Sequence, residues 1–215
     1  MKPIDQHSIE QLFTEARTYS HWQDRGIAAD TLRQLYQLAA MGPTSMNAQP
    51  GRFLFLTTPA SKQRLLPALA EGNRDKTLSA PVTVIVAHDP TFYRHLPELF
   101  PHMDGAEKMF ADNKELSNST AFRNGTLQGA WLIMAARALG LDCGPMSGFD
   151  NGKIDDIFFA ENGWQSNFLI NLGYGDPNAL HARGKRLDFE EAFHNQDPAP
   201  FAEQVKQQLA HCGAL

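Results

Sequence analysis

Three short segments carry side chains suited to holding a flat, polar, phosphate-bearing molecule. Arg17-Thr18, followed by Ser20, sets a guanidinium beside hydroxyls, and a late cluster of Arg183, Lys185 and Arg186 adds more cations. Charge-assisted hydrogen bonds from such groups bind phosphate. On composition alone the same residues read as solvated surface charge, the common fate of Arg and Lys. Gly144-Pro145-Met146-Ser147-Gly148-Phe149-Asp150 combines two glycines with a proline directly after a long apolar helical pattern. That composition predicts a tight turn whose backbone amides can approach a ligand closely. A bound redox cofactor needs an apolar platform, donors for its polar edge and cations for its phosphate, and the chain offers candidates for each.

Other chemistries fail on spacing. Gly173-Tyr174-Gly175 follows a strand pattern, but Asn178 occupies the third glycine position and no convincing helix opens there, so the dinucleotide fingerprint is absent. The loop from Gly42 lacks the Gly-Lys-Ser/Thr ending of a P-loop. His88, His95 and His102 recur at intervals too long for a compact zinc motif, and no metal is expected. Ser147 lacks the Gly-x-Ser-x-Gly elbow. Cys143 sits in an apolar context, where packing is the favoured role over a catalytic thiolate.

The elements that must position these groups follow from periodicity. Ser8 with Gln11 reads as a capping box before Ile9, Leu12, Phe13 and Ala16, which share one helical face. A second helix begins at Asp30 and stops at Gly42-Pro43. Strands are expected at Phe53 to Thr57, Val82 to Ala87 and Phe168 to Leu172, with a short helix from Pro59 to Leu69. Asn118 to Leu139 reads as a long central helix ended by Gly140. The segment from Asp89 to Leu116, with three prolines and weak periodicity, reads as a lid or excursion. Strands and helices are mixed without regular alternation, which gives an α+β class.

The 215 residues, 42% hydrophobic and 20% charged, suffice for one core, and residues 1–215 read as a single domain. A net charge of -5 and two cysteines argue against a nucleic-acid footprint and a disulfide framework. The longest apolar run, Ala130 to Ala136, is far short of a membrane span, and the polar start reads as no export signal. A soluble, cytoplasmic protein is the expectation.

Taken in order, the Arg17-Thr18 stretch, Pro43-Thr44-Ser45-Met46-Asn47, Asn73 to Lys76, Gly144 to Asp150 and the late basic residues resemble the nitroreductase family of FMN enzymes over essentially the whole chain. The resemblance implies a nitroreductase-like fold, with a central mixed or antiparallel sheet flanked by helices and an extended C-terminal segment, in a homodimer. It implies noncovalent FMN, with NADH or NADPH as co-substrate and a hydride relay through flavin N5. By it, Arg17, Thr18, Ser20, Arg183 and Arg186 serve the phosphate side, while Asn73 and Lys76 face the pyrimidine edge. Pro145, Met146, Ser147 and Gly148 cover N5, and Pro43, Thr44, Ser45 and Asn47 reach the flavin of the neighbouring subunit.

Finer stretches, among them Phe100-Pro101-His102 and Thr120-Ala121-Phe122-Arg123-Asn124, are similar to the branch that reduces malonic semialdehyde to 3-hydroxypropanoate. That branch implies a small aldehyde acid as acceptor, with Arg123 clamping its carboxylate; an ordinary surface arginine paired with an acid is the competing reading. Arg52 and Arg74 are further candidates for that cation. Ser20 and Ser147 replace basic and acidic residues of many nitroaromatic-reducing members. Alternatives are a broad quinone or nitro-compound reductase, or a flavin-binding redox sensor without turnover.

Overall fold

The computed structural model describes residues 2–193. The chain divides into two compact units, Met1–Leu180 and His181–Leu215. The first is built on one antiparallel sheet of β1 (Gly51–Leu56), β2 (Val82–His88), β3 (Asp142–Met146) and β4 (Gln165–Gly173), in the order β1-β2-β4-β3. Every residue of β2 is buried, because both faces of this central strand are covered.

Helices supply the cover: α1 (Gln6–Ile9), α2 (Ala29–Ala39), α3 (Pro59–Gln63), α4 (Glu71–Ser79), α5 (Leu96–Leu99), α6 (Ala106–Ala111), α7 (Lys114–Ala138) and α8 (Asn151–Phe158). Period-two alternation splits the strands between two cores. Val84, Val86, Ile170 and Leu172 face Leu35 and Ala39 of α2 and Leu132 and Ala136 of α7. Ile85, Ala87 and Leu169 face Leu65 and Leu69, after α3, and Ile154 of α8. The α+β expectation holds, with the sheet antiparallel among the described residues.

Four local expectations are corrected. The first helix is capped by Asp5, whose Oδ1 accepts from the Ser8 amide at 2.9 Å, so Ser8 is inside the first turn rather than at the cap. A carboxylate outranks a hydroxyl there because its charge also suits the helix N-terminus. The stretch Glu10–Thr14 widens into a π-helix. The long helix starts at Lys114, where the Asn113 side chain accepts from the Leu116 amide at 3.0 Å. Its end is as expected: Gly140 has φ 72°, with Gly140 bonded to the Arg137 carbonyl and Leu141 to that of Ala136, a Schellman ending.

The expected tight turn beginning at Gly144 is, up to Met146, strand β3, and the chain turns only from Ser147. Proline is tolerated because β3 is an edge strand, where a missing N–H need not break the ladder. Gly144 answers a different demand: a Cβ there would stand 2.3 Å from the Tyr19 carbonyl oxygen. Fourth, the segment from Asp89 to Leu116 is largely helical. A one-turn helix at Phe92–His95, α5 and α6 gather Phe92, Leu96, Ala106 and Phe110 around Ala48 and Ala121 in a core of their own. Each helix is too short to register a period.

The described part of the second unit contains α9 (Phe189–Ala192), closed by a capping box of Asp188 and Glu191, with Phe189 and Phe193 stacked at 4.6 Å. Phe201, Val205 and Leu209, further apolar residues of the tail, lie outside the described residues.

Candidate active site

Three of the expected segments meet at one corner of the sheet. The Arg17 to Trp22 stretch lies along β3: Thr18 bridges Cys143, and the Tyr19 amide donates to the Cys143 carbonyl at 3.0 Å. Trp22 then crosses to α4, its indole Nε1 donating to the Lys76 carbonyl at 3.2 Å. On the other side of α4, the Asn73 side-chain Nδ2 and the Ala70 amide both donate to the Gly148 carbonyl, at 2.8 and 3.0 Å. Gly148 is needed for this approach, since a Cβ would fall 2.5 Å from Asn73 Nδ2. Thr18, Ser20, Asn73, Lys76 and the strand and turn Pro145, Met146, Ser147, Gly148 are thus tied into one constellation.

Within it, charge and burial are uneven. Asn73 is buried, and its carboxamide oxygen accepts no hydrogen bond among the described residues. Lys76 is half-buried, and its ammonium makes no ion pair among the described residues. The Ser20 hydroxyl contacts the His21 ring at 3.2 Å. Arg17 lines a cleft of about 100 Å³ with Gln11, Arg137 and Asp142. Burial pushes the Asp142 carboxyl up, against the opposing effect of the Gly175 amide that donates to it at 2.8 Å. Burial also pushes the Cys143 thiol up to about 12, so it is a packed thiol and not a nucleophile.

The Pro43 to Asn47 loop is elsewhere. It precedes β1, the opposite edge strand, and is held by the excursion and α7. The Ser45 amide donates to Asn124 Oδ1 at 2.8 Å, and Asn47 Nδ2 donates to the Leu99 carbonyl at 3.0 Å. The Gln49 amide returns to Thr44 Oγ1 at 3.2 Å. Met46, Asn47 and Gln49 have φ of 53°, 48° and 43°, a left-handed backbone that non-glycine residues adopt at a cost. Behind the loop, Arg52 donates to the Gln49 and Gly51 carbonyls and to Asp89 Oδ2 at 2.9 Å.

Arg123 belongs to this second group, next in chain to the Asn124 that holds Ser45. It is exposed and has no acidic partner among the described residues, so the paired-arginine reading finds no support there. Arg52, by contrast, is committed to Asp89. In the second unit, Arg186 donates to the Gly184 carbonyl at 2.9 Å, and Lys185 pairs with Asp188 at 3.3 Å. Arg183 also makes contacts in the folded chain.

Sequence reasoning missed Trp22, Asn171 and Lys62, each of which bonds backbone carbonyls in or just after α4. Nothing in their spacing marks them, because each acts across the fold. Among the described residues there is no group of His, Cys, Asp and Glu able to hold a metal, and no helix long and apolar enough to cross a membrane.

The profile of the Nitroreductase family matches residues 13–174. The chain belongs to the nitroreductase family. It is 54% identical over 191 residues to a protein of Burkholderia lata named "Putative NADH dehydrogenase/NAD(P)H nitroreductase", covering 89% of this chain and 97% of that one. A protein of the same name from Xanthomonas oryzae is 55% identical over 185 residues, 86% of this chain and 94% of its own. In three dimensions the family fold recurs in a "putative nitroreductase" of Bacillus subtilis, with a TM-score of 0.78 at 20% identity over 89% of this chain and all of that one. A "putative nitroreductase" of Exiguobacterium sibiricum, solved in complex with FMN, aligns with a TM-score of 0.78 at 20% identity, covering 91% and 99% of the two chains.

Proposed function

We infer that this nitroreductase-family chain is an FMN-dependent oxidoreductase that draws on NADH or NADPH. The observation that carries the reading is the bonding of α4, with Asn73 and Lys76, to the Gly148 turn on one side and to the Thr18 to Trp22 stretch on the other. The donor set fits the cofactor. Among the described residues, Lys76 offers an ammonium in no ion pair and Asn73 a carboxamide oxygen that accepts no hydrogen bond, both suited to a polar ring edge. Arg17, Thr18 and Ser20 offer a cation and hydroxyls for a phosphate. The likeness to the FMN-bound structure from Exiguobacterium sibiricum and the names of the Burkholderia and Xanthomonas relatives support the same cofactor pair.

When bound, FMN supplies the ring that carries hydride from the nicotinamide to the acceptor. The protein positions that exchange. Lys76 is a preorganised cation for negative charge at the pyrimidine edge. The turn of Pro145, Met146, Ser147 and Gly148 brings backbone groups to the reactive centre. Purified protein should carry flavin absorbance, or regain it when FMN is added to stripped protein. Folded protein that binds no FMN would refute the assignment.

The active unit is a homodimer in this reading, with Pro43, Thr44, Ser45 and Asn47 of one subunit completing the flavin site of the other. Two observations support it: the separation of the two residue groups within one chain, and an apolar groove of about 580 Å³ lined by Ile4, Phe13, Leu38, Met41, Trp131 and Met134. Surface of that kind on a protein commonly marks an interface. A lid role for the excursion from Asp89 to Leu116 is supported by its bond to Asn47 through Leu99.

For the acceptor, the unpaired, exposed Arg123 and the similarity to the malonic semialdehyde branch support a short aldehyde acid, whose carboxylate the guanidinium would clamp. The names of the Burkholderia and Xanthomonas relatives favour instead a nitro compound, and a neutral quinone is the alternative acceptor on the same scaffold. The ratio of kcat/KM for malonic semialdehyde and for a neutral quinone, in wild type and Arg123→Ala, separates them. Loss confined to the acid, about tenfold or more, supports the clamp; equal losses remove it.

A further inference from the structure

The last turn of α4 and its C-cap are held from outside the helix at three carbonyls. Asn171, in the middle of β4, is fully buried, with Gly144 of β3 and Thr83 of β2 as its cross-strand neighbours. Its Nδ2 donates to the Lys76 carbonyl at 3.1 Å, and its Oδ1 accepts from Thr83 Oγ1 at 2.8 Å. Trp22 donates to the same Lys76 carbonyl. Lys62, itself buried, donates to the carbonyls of Leu78, at 2.6 Å, and Ala80.

A carboxamide in the centre of a sheet is costly unless both of its ends are satisfied, and Leu169 and Leu172 show what the strand otherwise uses there. The orientation of Asn171 is fixed by its partners. The Lys76 carbonyl can only accept, so the amide nitrogen faces it, and the Thr83 hydroxyl donates to the remaining oxygen. The Lys76 ammonium, by contrast, has no ion-pair partner among the described residues that would set its place. Its reach is set by where its backbone stands, and two side chains from other elements hold that backbone at one atom.

We propose that Asn171 is a positioning residue for Lys76: through the Lys76 carbonyl it sets the height of the last turn of α4 and so places the ammonium at the cofactor's polar edge. The proposal rests on the reading of Lys76 as facing FMN. Gly144 has a part in it as well, since the bare backbone opposite Asn171 lets the Tyr19 carbonyl close over β3 and carries the chain on to Trp22.

The test is the reduction potential of bound FMN, with its dissociation constant, in wild type, Lys76→Met, Asn171→Leu and the double variant. Lys76→Met should lower the potential, because the reduced, more negative ring loses its cation. Asn171→Leu should lower it too, by the equivalent of roughly fivefold weaker holding of reduced relative to oxidised flavin, the scale of one hydrogen bond. In the Lys76→Met background Asn171→Leu should add no further shift, which is the signature of action through Lys76. A potential unchanged in Asn171→Leu, or an equal drop in both backgrounds, would overturn the positioning role while leaving the site assignment in place. No shift in Lys76→Met would instead remove Lys76 from the cofactor edge, and the proposal with it. Should Asn171→Leu fail to fold, Asn171→Ala removes the same donor without adding bulk, and the same pattern of shifts supports or overturns the proposal.

Discussion

At the α4 corner, side chains from elsewhere in the fold hold the backbone, through Trp22, Asn171 and Lys62, and the Gly148 carbonyl gathers two donors from α4 and the residue before it. The loop before β1 keeps its shape differently. Three non-glycine residues there take a left-handed backbone, and the opposing forces come from Asn124, Arg52 and the Leu99 carbonyl. One region is ordinary backbone held by bonds from other elements; the other is costly backbone held by a comparable set of bonds. Strain of that kind persists only where surrounding structure over-determines it, and it concentrates at binding surfaces. The two regions stand at opposite edges of the sheet, and in the proposed homodimer one ligand would draw on the corner of one copy and the loop of the other.

The corner should be the harder of the two to perturb without collapse. Gly144→Ala would drive a Cβ to 2.3 Å from the Tyr19 carbonyl, a backbone atom that cannot swing aside. The expected cost is about 3 kcal/mol, from overpacking and from release of the Thr18 to Ser20 stretch. Gly26→Ala, where a Cβ meets nothing within 4 Å, should stay within about 0.5 kcal/mol of wild type. Denaturant unfolding of both variants measures the difference, and similar losses would mean that Tyr19 is not locked onto β3.

The loop side carries an acid-sensitive group that the corner lacks. His88, at the end of β2 beside Asp89, is buried against Phe122, and its Nδ1 has no hydrogen-bond partner among the described residues. Burial pushes its imidazole below 6.5, against smaller opposing effects from a hydrogen bond with Gln165 and the nearby Asp155 and Asp89. Below pH 6.5 the unfolded chain therefore binds the proton more readily than the folded one. Stability is complete above that value and falls as pH drops towards the folded pKa, with a slope of up to about 1.4 kcal/mol per pH unit. His88→Leu should flatten that part of the stability curve; an unchanged slope would assign the acid sensitivity to other groups.

The smallest effect should come from the loop backbone itself. Gln49→Gly relieves a left-handed φ of 43° but adds chain entropy to the unfolded state and removes the bond from Gln49 Nε2 to Asn47. A net gain of about 0.5 kcal/mol in thermal or denaturant unfolding is expected. A loss above about 1 kcal/mol would mean that the Gln49 side chain holds the loop.

The two regions also differ in how far they could be read from residues alone. Arg17 was legible as a candidate because a cation beside hydroxyls suits a phosphate, whereas the places of Asn73, Lys76 and Gly148 around a flavin ring were legible only through the resemblance to the nitroreductase family; the structure brings the Thr18 stretch, α4 and the turn together. Strands β1, β2 and β4 were legible from β-branched and aromatic runs. β3 was not, since Gly144 and Pro145 are the residues of a turn, and only the edge position and the Tyr19 contact make them a strand. The excursion was illegible as structure because its helices span one or two turns. Asn171 carried no signal at all: a polar residue inside an apolar strand is explained by the Lys76 carbonyl, which lies 95 residues away.

The central claim is that the corner and the loop of different subunits make one FMN site. Two variants test it, each disabling one region: Lys76→Met combined with Arg17→Ala, and Ser45→Pro combined with Asn47→Ala. Each alone should lose NAD(P)H-dependent turnover and most bound FMN. Unfolding and refolding the two together should yield mixed dimers in which one site carries both lesions and the other neither, with flavin and activity recovered in that mixed species. Mixed dimers that form but recover neither would contradict the account and return both regions to sites within a single chain.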